Sequence, residues 1–225
     1  MLTNDVLYKA GEYQPFRVGR AVGKLRLVPA GAKAEDLVFD PGEIVILPEP
    51  LTDITRVAGI VSREDVAAGK VRIIAPQGFL EHAVSENIIA GPAMGRRAVF
   101  QFGYTLPRGP AGEMTSGLGP GISKGTMSML APTDLITKTG QEITIGNTRM
   151  VFQLTPGTEA PAEMNVYFPD RRALFMAENA NLTMHNLLPA RGALVRDAKG
   201  WADYLTESLG RFGNDSDVMF AAHGI

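Results

Sequence analysis

Cysteine is absent from the sequence, and histidine is scarce, with only His82, His185 and His223 present. The absence of cysteine excludes disulfides, zinc sites built from thiolates, and thiol nucleophiles. Long apolar runs are also missing, since none approaches the roughly 18 residues of a membrane-spanning helix. Residues 1–9 lack the charged and then apolar layout of a secretory signal peptide. The sequence therefore predicts neither a membrane span nor a signal peptide, and it leaves the cellular location open.

An excess of positive charge is lacking as well. The 22 Lys and Arg residues stand against 24 Asp and Glu residues, which gives a net charge of −2. A protein that binds nucleic acid would present a basic face, so this balance argues against a nucleic-acid partner. It argues equally against a polybasic membrane anchor. The oligomeric state is left open by the sequence.

The composition and the hydrophobic pattern point to a layered domain. Apolar residues make up 45% of the 225 residues, which is enough for a hydrophobic core. Residues 1–42 show no sustained periodicity, and we expect a weakly organised N-terminal segment there. Over residues 43–225 strands and helices are mixed, which is typical of an α/β or α+β domain.

Local patterns predict the individual elements of that domain. Short apolar runs predict strands at residues 43–47, 71–75, 164–168, 173–176 and 218–221. Residues 135–154 read as an antiparallel meander that turns at Gly146, and residues 79–100 as helical with a break at Gly91. A last helix is predicted from one apolar face, ended by Gly213 as a C-terminal cap. That face comprises Val195, Ala198, Ala202, Leu205, Leu209 and Phe212.

Three residues stand where a strand gives way to a loop and could hold a metal ion. Glu159 precedes the strand at residues 164–168, Glu178 follows the strand at residues 173–176, and His223 follows the last strand. Ligands gather at the carboxyl ends of strands in open α/β sheets, so distant residues can converge there. Two carboxylates and one imidazole would suit a hydrolytic zinc ion.

Ordinary structural roles are open for each of these residues. A carboxylate after a strand is often a solvated loop charge or a helix cap, and His223 is close enough to the C-terminus to be a frayed residue. His185 could be a capped loop histidine, and His82 lies on a helix without a partner at ligand spacing. Arg191 could clamp an anion, because its planar fork matches a tetrahedral oxyanion, or it could be a surface arginine.

Several strings in the sequence carry a resemblance to a known family. They are TPGTEAPAEMN at residues 155–165, MAENA at 176–180, HNL at 185–187, RGALVRD at 191–197, GFLEHAVSEN at 78–87 and AMGRR at 93–97. These strings closely resemble the alkylsulfatases, which are zinc-dependent sulfatases built on the metallo-β-lactamase fold. The resemblance runs from about Gly59 to His223, which is most of the chain.

The resemblance implies a fold, a reaction and a set of roles. The fold would be a partial αββα sandwich of the metallo-β-lactamase type. The reaction would be hydrolysis of an alkyl sulfate to an alcohol and inorganic sulfate by water that zinc activates, with two zinc ions in the family. Glu159 would be a ligand of one zinc, His223 a ligand of the second zinc, and Glu178 the carboxylate between the two metals. Arg191 would bind the sulfate group.

The sequence also departs from the family pattern. The family's His-x-His-x-Asp-His loop would fall at residues 48–53, where no histidine stands. Leu182 occupies a position where the family commonly has histidine. Family members also continue beyond the position of His223, so the resemblance predicts a truncated chain. We expect an incomplete metal site, and whether the chain is an active enzyme is left open.

Two functions from different classes follow. The first is an alkylsulfatase-family metallo-hydrolase that acts on alkyl sulfates. The second is a non-catalytic remnant of the same fold that binds alkyl anions without turning them over. A third arrangement, in which a partner chain supplies the missing histidines, is also open.

Overall fold

The computed structural model describes residues 62–113, 129–180 and 185–222, together with the backbone of residues 43–46. The weakly organised segment predicted at residues 1–42 and the proposed ligand His223 lie outside these residues. Among the helices that the described ranges contain, none combines the length and the apolar composition of a membrane span.

The smaller of two sheets has three parallel strands. Its order is β1 (Glu43–Ile46), β2 (Val71–Pro76) and β3 (Asp134–Ile136). A short helix, α1 (Arg63–Ala67), precedes β2 and begins at Ser62, whose side chain accepts a hydrogen bond from a backbone N–H in the first turn. Strand β2 is buried along most of its length, as expected for the central strand of a parallel sheet.

The larger sheet has five strands and is mostly antiparallel. Its order is β4 (Glu142–Ile145), β5 (Thr148–Leu154), β6 (Met164–Phe168), β7 (Ala173–Phe175) and β8 (Val218–Phe220). The β7 and β8 strands pair in parallel, and the chain between them includes helix α4 (Ala198–Phe212). A 3₁₀ turn joins β6 to β7 at Pro169–Arg171, and another follows α4 at Gly213–Asp215.

Alternating side chains of the strands build three apolar layers. Val71, Ile73 and Ala75 of β2 pack with α2 (Phe79–Val84), whereas Ile74 points to the opposite side. Ile74 joins Met150, Phe152, Met164 and Val166 in the core between the two sheets. On the far side of the larger sheet, Tyr167 and Leu174 pack against Phe212 of α4. The layers run helix, sheet, sheet, helix, which is the αββα sandwich predicted from the sequence.

The helical segment at residues 79–101 has three parts. Helix α2 passes into a π-helix at Ser85–Ile89, and α3 (Gly91–Gln101) then begins with Pro92 in its first turn. Proline is tolerated there because the first backbone N–H groups of a helix have no partner within it. The predicted break at Gly91 therefore marks the start of a new helix. The π-helix has no sequence signal.

Two parts of the sequence prediction are wrong. Residues 135–137 do not belong to the antiparallel meander, because β3 pairs in parallel with β2 in the other sheet. The buried face of α4 comprises Trp201, Ser208 and Phe212, while Leu209 is 71% exposed and Val195, at 69%, lies before the helix. The helix ends at Gly213 as predicted, although the φ of −59° is not the left-handed conformation common for a glycine at a helix end, and a 3₁₀ turn continues from this residue.

The remaining predicted strands are confirmed. Strands lie at residues 43–46, 71–76, 164–168, 173–175 and 218–220, and β4 and β5 form the antiparallel hairpin that turns at Gly146. Gly146 has a φ of +57°, a conformation that a residue without a Cβ adopts readily.

Candidate metal centre

The topology of the larger sheet brings two loops to the same edge. Leu154 at the end of β5 pairs with Met164 at the start of β6, and Phe175 at the end of β7 pairs with Val166. The loop of residues 155–163, named here the Glu159 loop, therefore lies beside residues 176–180, named here the Glu178 turn. The end of β8 reaches this edge as well, because the backbone N–H of Ala222 donates to the carbonyl of Ala177 at 2.7 Å.

The Glu159 loop is closed by hydrogen bonds between its own ends. The backbone N–H of Thr155 donates to the carbonyl of Glu163 at 2.9 Å, and the N–H of Gly157 donates to the carbonyl of Ala160 at 3.1 Å. Gly157 has a φ of +76°, which side-chain-bearing residues rarely adopt. The loop turns Glu159 inward, where the residue is only 6% exposed.

Arg196 is the main partner of Glu159. Its guanidinium donates to the carboxylate of Glu159 through Nη2 and to the backbone carbonyl of the same residue through Nε at 2.7 Å. It also donates through Nη1 to Asn186 Oδ1 at 2.7 Å. Within the described residues, Glu159 Oε2 is a buried oxygen without a hydrogen-bond donor. One side of this carboxylate is thus neutralised by arginine, and the other side is left to be satisfied.

His185 lies between the two glutamates. Its Nε2 is 3.1 Å from Glu178 Oε2, and its Nδ1 is 3.9 Å from Glu159 Oε1. One donor atom from each of Glu159, Glu178 and His185 falls within 4.8 Å of the others. Glu178 is 4% exposed, so both carboxylates are held out of bulk water.

Glu163 lies beneath this cluster. Its Oε2 accepts from the backbone N–H of Ala160 at 3.0 Å and lies 2.8 Å from the hydroxyl of Thr158, while its Oε1 accepts from the backbone N–H of Glu178 at 3.1 Å. Glu163 is 1% exposed. Burial raises the pKa of this carboxyl to about 8, although its three hydrogen-bond contacts oppose the shift.

Buried amides tie the cluster to helix α4. Asn179 donates through its side chain to Asn165 Oδ1 at 2.9 Å and to Thr155 Oγ1 at 3.0 Å. The indole of Trp201 donates to the carbonyl of Asn179 at 3.0 Å, and Asn165 donates to Ser208 Oγ at 3.2 Å. The inward face of α4 is therefore partly polar, and for this reason the pattern of apolar residues does not predict which face is buried.

Arg191 is held by residues outside this cluster. Its Nη2 is 3.5 Å from Oε1 of Glu86, a buried residue of the π-helix, and its backbone N–H donates to Gln101 of α3 at 2.6 Å. Burial raises the pKa of Glu86, and the positive charge of Arg191 opposes that shift. The loop that carries Arg191 is thereby attached to the helices after β2.

A cleft of about 130 Å³ opens beside Glu159. The Glu159 loop lines one side from Gly157 to Pro161, and Leu194, Val195 and Arg196 line the other. Leu194 and Val195 are largely exposed. The cleft combines a buried charged wall with an apolar rim.

The sequences of several known proteins are similar to this chain. It is 47% identical over 167 residues to a linear primary-alkylsulfatase from Pseudomonas sp, and 48% identical over 166 residues to an (R)-specific secondary-alkylsulfatase from Pseudomonas sp. It is 47% identical over 167 residues to the alkyl/aryl-sulfatase BDS1 of Saccharomyces cerevisiae. These matches cover 73–74% of this chain and 25–26% of the relatives, so the chain spans about a quarter of their length. No family model matches the chain.

Solved structures agree with the sequence matches. The stereoselective inverting sec-alkylsulfatase Pisa1 from Pseudomonas sp. superposes with a TM-score of 0.77 at 42% identity, over 82% of this chain and 29% of that chain. A double mutant of the same sec-alkylsulfatase gives a TM-score of 0.76 at 45% identity, over 80% of this chain and 29% of that chain. The chain is thus similar to about a quarter of the length of these alkylsulfatases. Its αββα sandwich is the fold of the matched part of these sec-alkylsulfatase structures.

The alkylsulfatase resemblance named some residues of this cluster and passed over others. The structure brings Glu159 and Glu178 together, whereas His223 lies outside the described residues. His185 and Arg196 were not selected as site residues, although both stand in strings that resemble the alkylsulfatases. No spacing rule connects them to the glutamates, because Arg196 lies 37 positions after Glu159.

The donor set of this cluster fits one divalent ion. Two carboxylates and one imidazole are ligands that zinc accepts, and a catalytic zinc site commonly has three protein ligands. The buried oxygen of Glu159 that has no hydrogen-bond donor among the described residues is the kind of atom that an ion would satisfy. A two-metal centre with the His-x-His-x-Asp-His loop does not fit, because the three histidines of the sequence, His82, His185 and His223, are not spaced to form that loop.

Proposed function

We propose that this chain is an alkylsulfatase-family metallo-hydrolase that hydrolyses alkyl sulfates, with a metal site that is reduced relative to the two-zinc pattern. The observation that carries the proposal is the convergence of Glu159, Glu178 and His185 at one sheet edge, with donor atoms within 4.8 Å of one another. The family resemblance supports zinc as the ion and His223 as a further ligand.

The proposed role of each residue follows from its contacts. Glu159, Glu178 and His185 would hold the ion, and the ion would supply Lewis-acid stabilisation of negative charge and lower the pKa of bound water. Arg196 holds the carboxylate and the carbonyl of Glu159 and so fixes the orientation of that ligand. The apolar rim formed by Leu194 and Val195 offers a surface to the alkyl chain of a substrate.

Arg191 is proposed to bind the sulfate group. Its guanidinium carries the planar set of donors that matches a sulfate oxyanion, and its side chain is only 15% exposed. Its 3.5 Å contact with Glu86 is long enough that a sulfate would offer a better partner. An arginine in this role stabilises charge that develops on the leaving sulfate.

A second candidate function is binding of alkyl anions without turnover. Two observations favour it: no histidine stands at residues 48–53, and Arg196 already neutralises one oxygen of Glu159 without a metal. A chain of this kind would keep the cleft and Arg191 while lacking the ligands needed for tight metal binding.

One experiment separates the two functions. The purified protein is loaded with Zn²⁺ and dialysed, its zinc content is measured, and sulfate release from dodecyl sulfate is followed with and without EDTA. Hydrolysis predicts bound zinc and sulfate release that EDTA and Glu178→Gln both abolish. Glu142→Gln is the matched control, because Glu142 is an exposed carboxylate paired with Arg149 on β5.

The other outcomes are equally informative. Zinc binding without sulfate release would keep the metal site and overturn hydrolysis. Absence of both zinc and sulfate would overturn the first function. Saturable binding of dodecyl sulfate that EDTA does not change would then establish the second.

A further inference from the structure

Glu163 contacts both loops that carry the proposed metal ligands. One carboxyl oxygen accepts from the N–H of Ala160, the residue after Glu159, and the other accepts from the N–H of Glu178 itself. The Thr158 hydroxyl lies 2.8 Å from the same carboxyl and 2.6 Å from the carbonyl of Thr155. A single buried side chain therefore bridges the Glu159 loop and the Glu178 turn.

The Glu178 turn needs such a support. Ala177 has a φ of +48°, in the left-handed region where a residue with a Cβ costs about 1–2 kcal/mol. Conformations of this kind persist only where the surroundings hold them in place. Ala177 is fully buried, its carbonyl accepts from Ala222, and the next N–H is held by Glu163. The strained backbone and the carboxyl together direct Glu178 into the cluster.

Packing alone does not account for a carboxyl at this position. A buried polar group adds to stability only when its hydrogen bonds are made, and an apolar side chain of similar size would fill the same volume at no such cost. What an apolar side chain cannot do is hold two backbone N–H groups from different loops at fixed positions. Metal ligands need that kind of placement, to within roughly 0.5 Å.

We infer that Glu163 is a positioning residue for the metal site, which holds Glu159 and Glu178 at the separation that one ion requires. This inference rests on the proposed metal site. Glu163 does not touch the ion and acts through the two backbone amides that it fixes. Partners of this kind change metal affinity by about 10–100-fold when they are removed.

The test compares two substitutions of Glu163 with a control in the core. Glu163→Ala removes both contacts, whereas Glu163→Gln keeps one acceptor oxygen and nearly the same shape. Met150→Ala is the control, because Met150 is buried between the sheets and its truncation costs stability without touching either loop. Each variant is measured for Zn²⁺ affinity by competition with a chromophoric chelator, for the visible spectrum of bound Co²⁺, and for amide hydrogen exchange without metal.

The expected pattern is specific to positioning. Glu163→Ala lowers zinc affinity by about 10–100-fold, alters the Co²⁺ spectrum, and speeds exchange at the Glu159 loop and the Glu178 turn. Glu163→Gln shows a smaller loss in the same direction. Met150→Ala lowers stability, but its zinc affinity and Co²⁺ spectrum stay those of the unmodified protein.

Other results would overturn the positioning role of Glu163. Unchanged zinc affinity in Glu163→Ala overturns the inference, and so does unchanged exchange in both loops. A loss of affinity in Met150→Ala equal to that in Glu163→Ala also overturns it, because the effect would then be general destabilisation. If the unmodified protein binds no zinc, the proposed function fails on its own, and the inference that depends on the metal site falls with it, whatever the exchange data show.

Discussion

When no metal is bound, the positive charge of Arg196 balances the negative charge of Glu159. Both side chains are almost fully buried, and the guanidinium also reaches the carbonyl of Glu159 and the side chain of Asn186. A buried ion pair of this kind is weak evidence for stability in itself, because desolvation offsets the attraction. Removing only one partner, however, leaves the other as an unpaired buried charge, which is strongly destabilising.

We expect Arg196→Met to destabilise the protein by about 3–5 kcal/mol, because it leaves the carboxylate of Glu159 buried and unpaired. The double variant Arg196→Met/Glu159→Met should recover most of that loss, since both charges are then absent. Urea unfolding of the two single variants and the double variant measures the coupling.

Arg211→Met serves as the control for this cycle. Arg211 forms an exposed pair with Glu207 on α4, and its loss should change stability by no more than about 0.5 kcal/mol. A double variant whose destabilisation equals the sum of the two single losses would show that the pair is not coupled.

At the scale of elements, helix α4 is joined to the Glu159 loop by Asp197, the residue just before its start. The side chain of Asp197 accepts from the N–H of Gly200 at 3.0 Å and so caps the helix, while its own N–H donates to the carbonyl of Gly157 at 2.8 Å. The start of the helix and the position of the loop are thus set by one residue.

Asp197→Ala should lower the free energy of unfolding by about 1 kcal/mol, because one backbone N–H at the helix start loses its acceptor. Asp197→Ser should restore most of the loss, since serine is also a good cap. Thermal or urea unfolding measures both, with the exposed Asp203→Ala as control. A loss in Asp203→Ala as large as that in Asp197→Ala would contradict the capping role.

Strands β2 and β3 share an ion pair with a predictable pH dependence. Arg72 donates to both oxygens of Asp134 across the parallel pair, and this hydrogen bonding lowers the pKa of Asp134 below its ordinary value of 3.8. A lowered pKa means that the folded state favours the charged form. The stabilisation is therefore present above pH 3.8 and is lost as the pH falls through the lower folded value.

Asp134→Asn should accordingly cost up to about 1 kcal/mol at pH 7, the modest size being due to the partial exposure of Arg72. The difference from the unmodified protein should disappear in strongly acidic solution. Urea unfolding across pH gives both values. A difference that does not depend on pH would exclude the ion pair as its source.

At the scale of the whole molecule, the proposed metal site joins loops that follow two different strands. The Glu159 loop follows β5, whereas the Glu178 turn and His185 both follow β7, so an ion held by all three would bind the folded chain far better than the unfolded chain. Ligands of that kind stabilise the folded state in proportion to the logarithm of their concentration.

Zinc at 100 times its dissociation constant should therefore raise the free energy of unfolding by about 2.7 kcal/mol, and EDTA should reverse the gain. The check is the melting temperature with Zn²⁺ and with EDTA. Glu159→Gln should lose the zinc-dependent increase, and Glu142→Gln should keep it. An increase that survives in Glu159→Gln would place the ion elsewhere.

Much of the fold could be predicted from local patterns. The strand at residues 164–168 and the hairpin at residues 142–154 follow from alternation and turn residues, which act over a few neighbouring positions. The pairing of β3 with β2 could not be predicted, because hydrogen bonds between distant strands leave no local pattern. The inward face of α4 was misplaced because it includes Ser208, which bonds to the buried amide Asn165.

The residues of the candidate site likewise include some that the sequence predicts and some that it does not. Glu159 and Glu178 could be selected because carboxylates at strand ends are a general feature of metal sites, and because the strings around them resemble the alkylsulfatases. Tertiary structure alone decided the other contacts. It pairs Arg196 with Glu159, places His185 between the two glutamates, and lets Glu163 bridge their loops. The amino-acid order by itself sets the local period and the supply of ligands, whereas the distances between them are set by strand pairing and burial, which act across the whole chain.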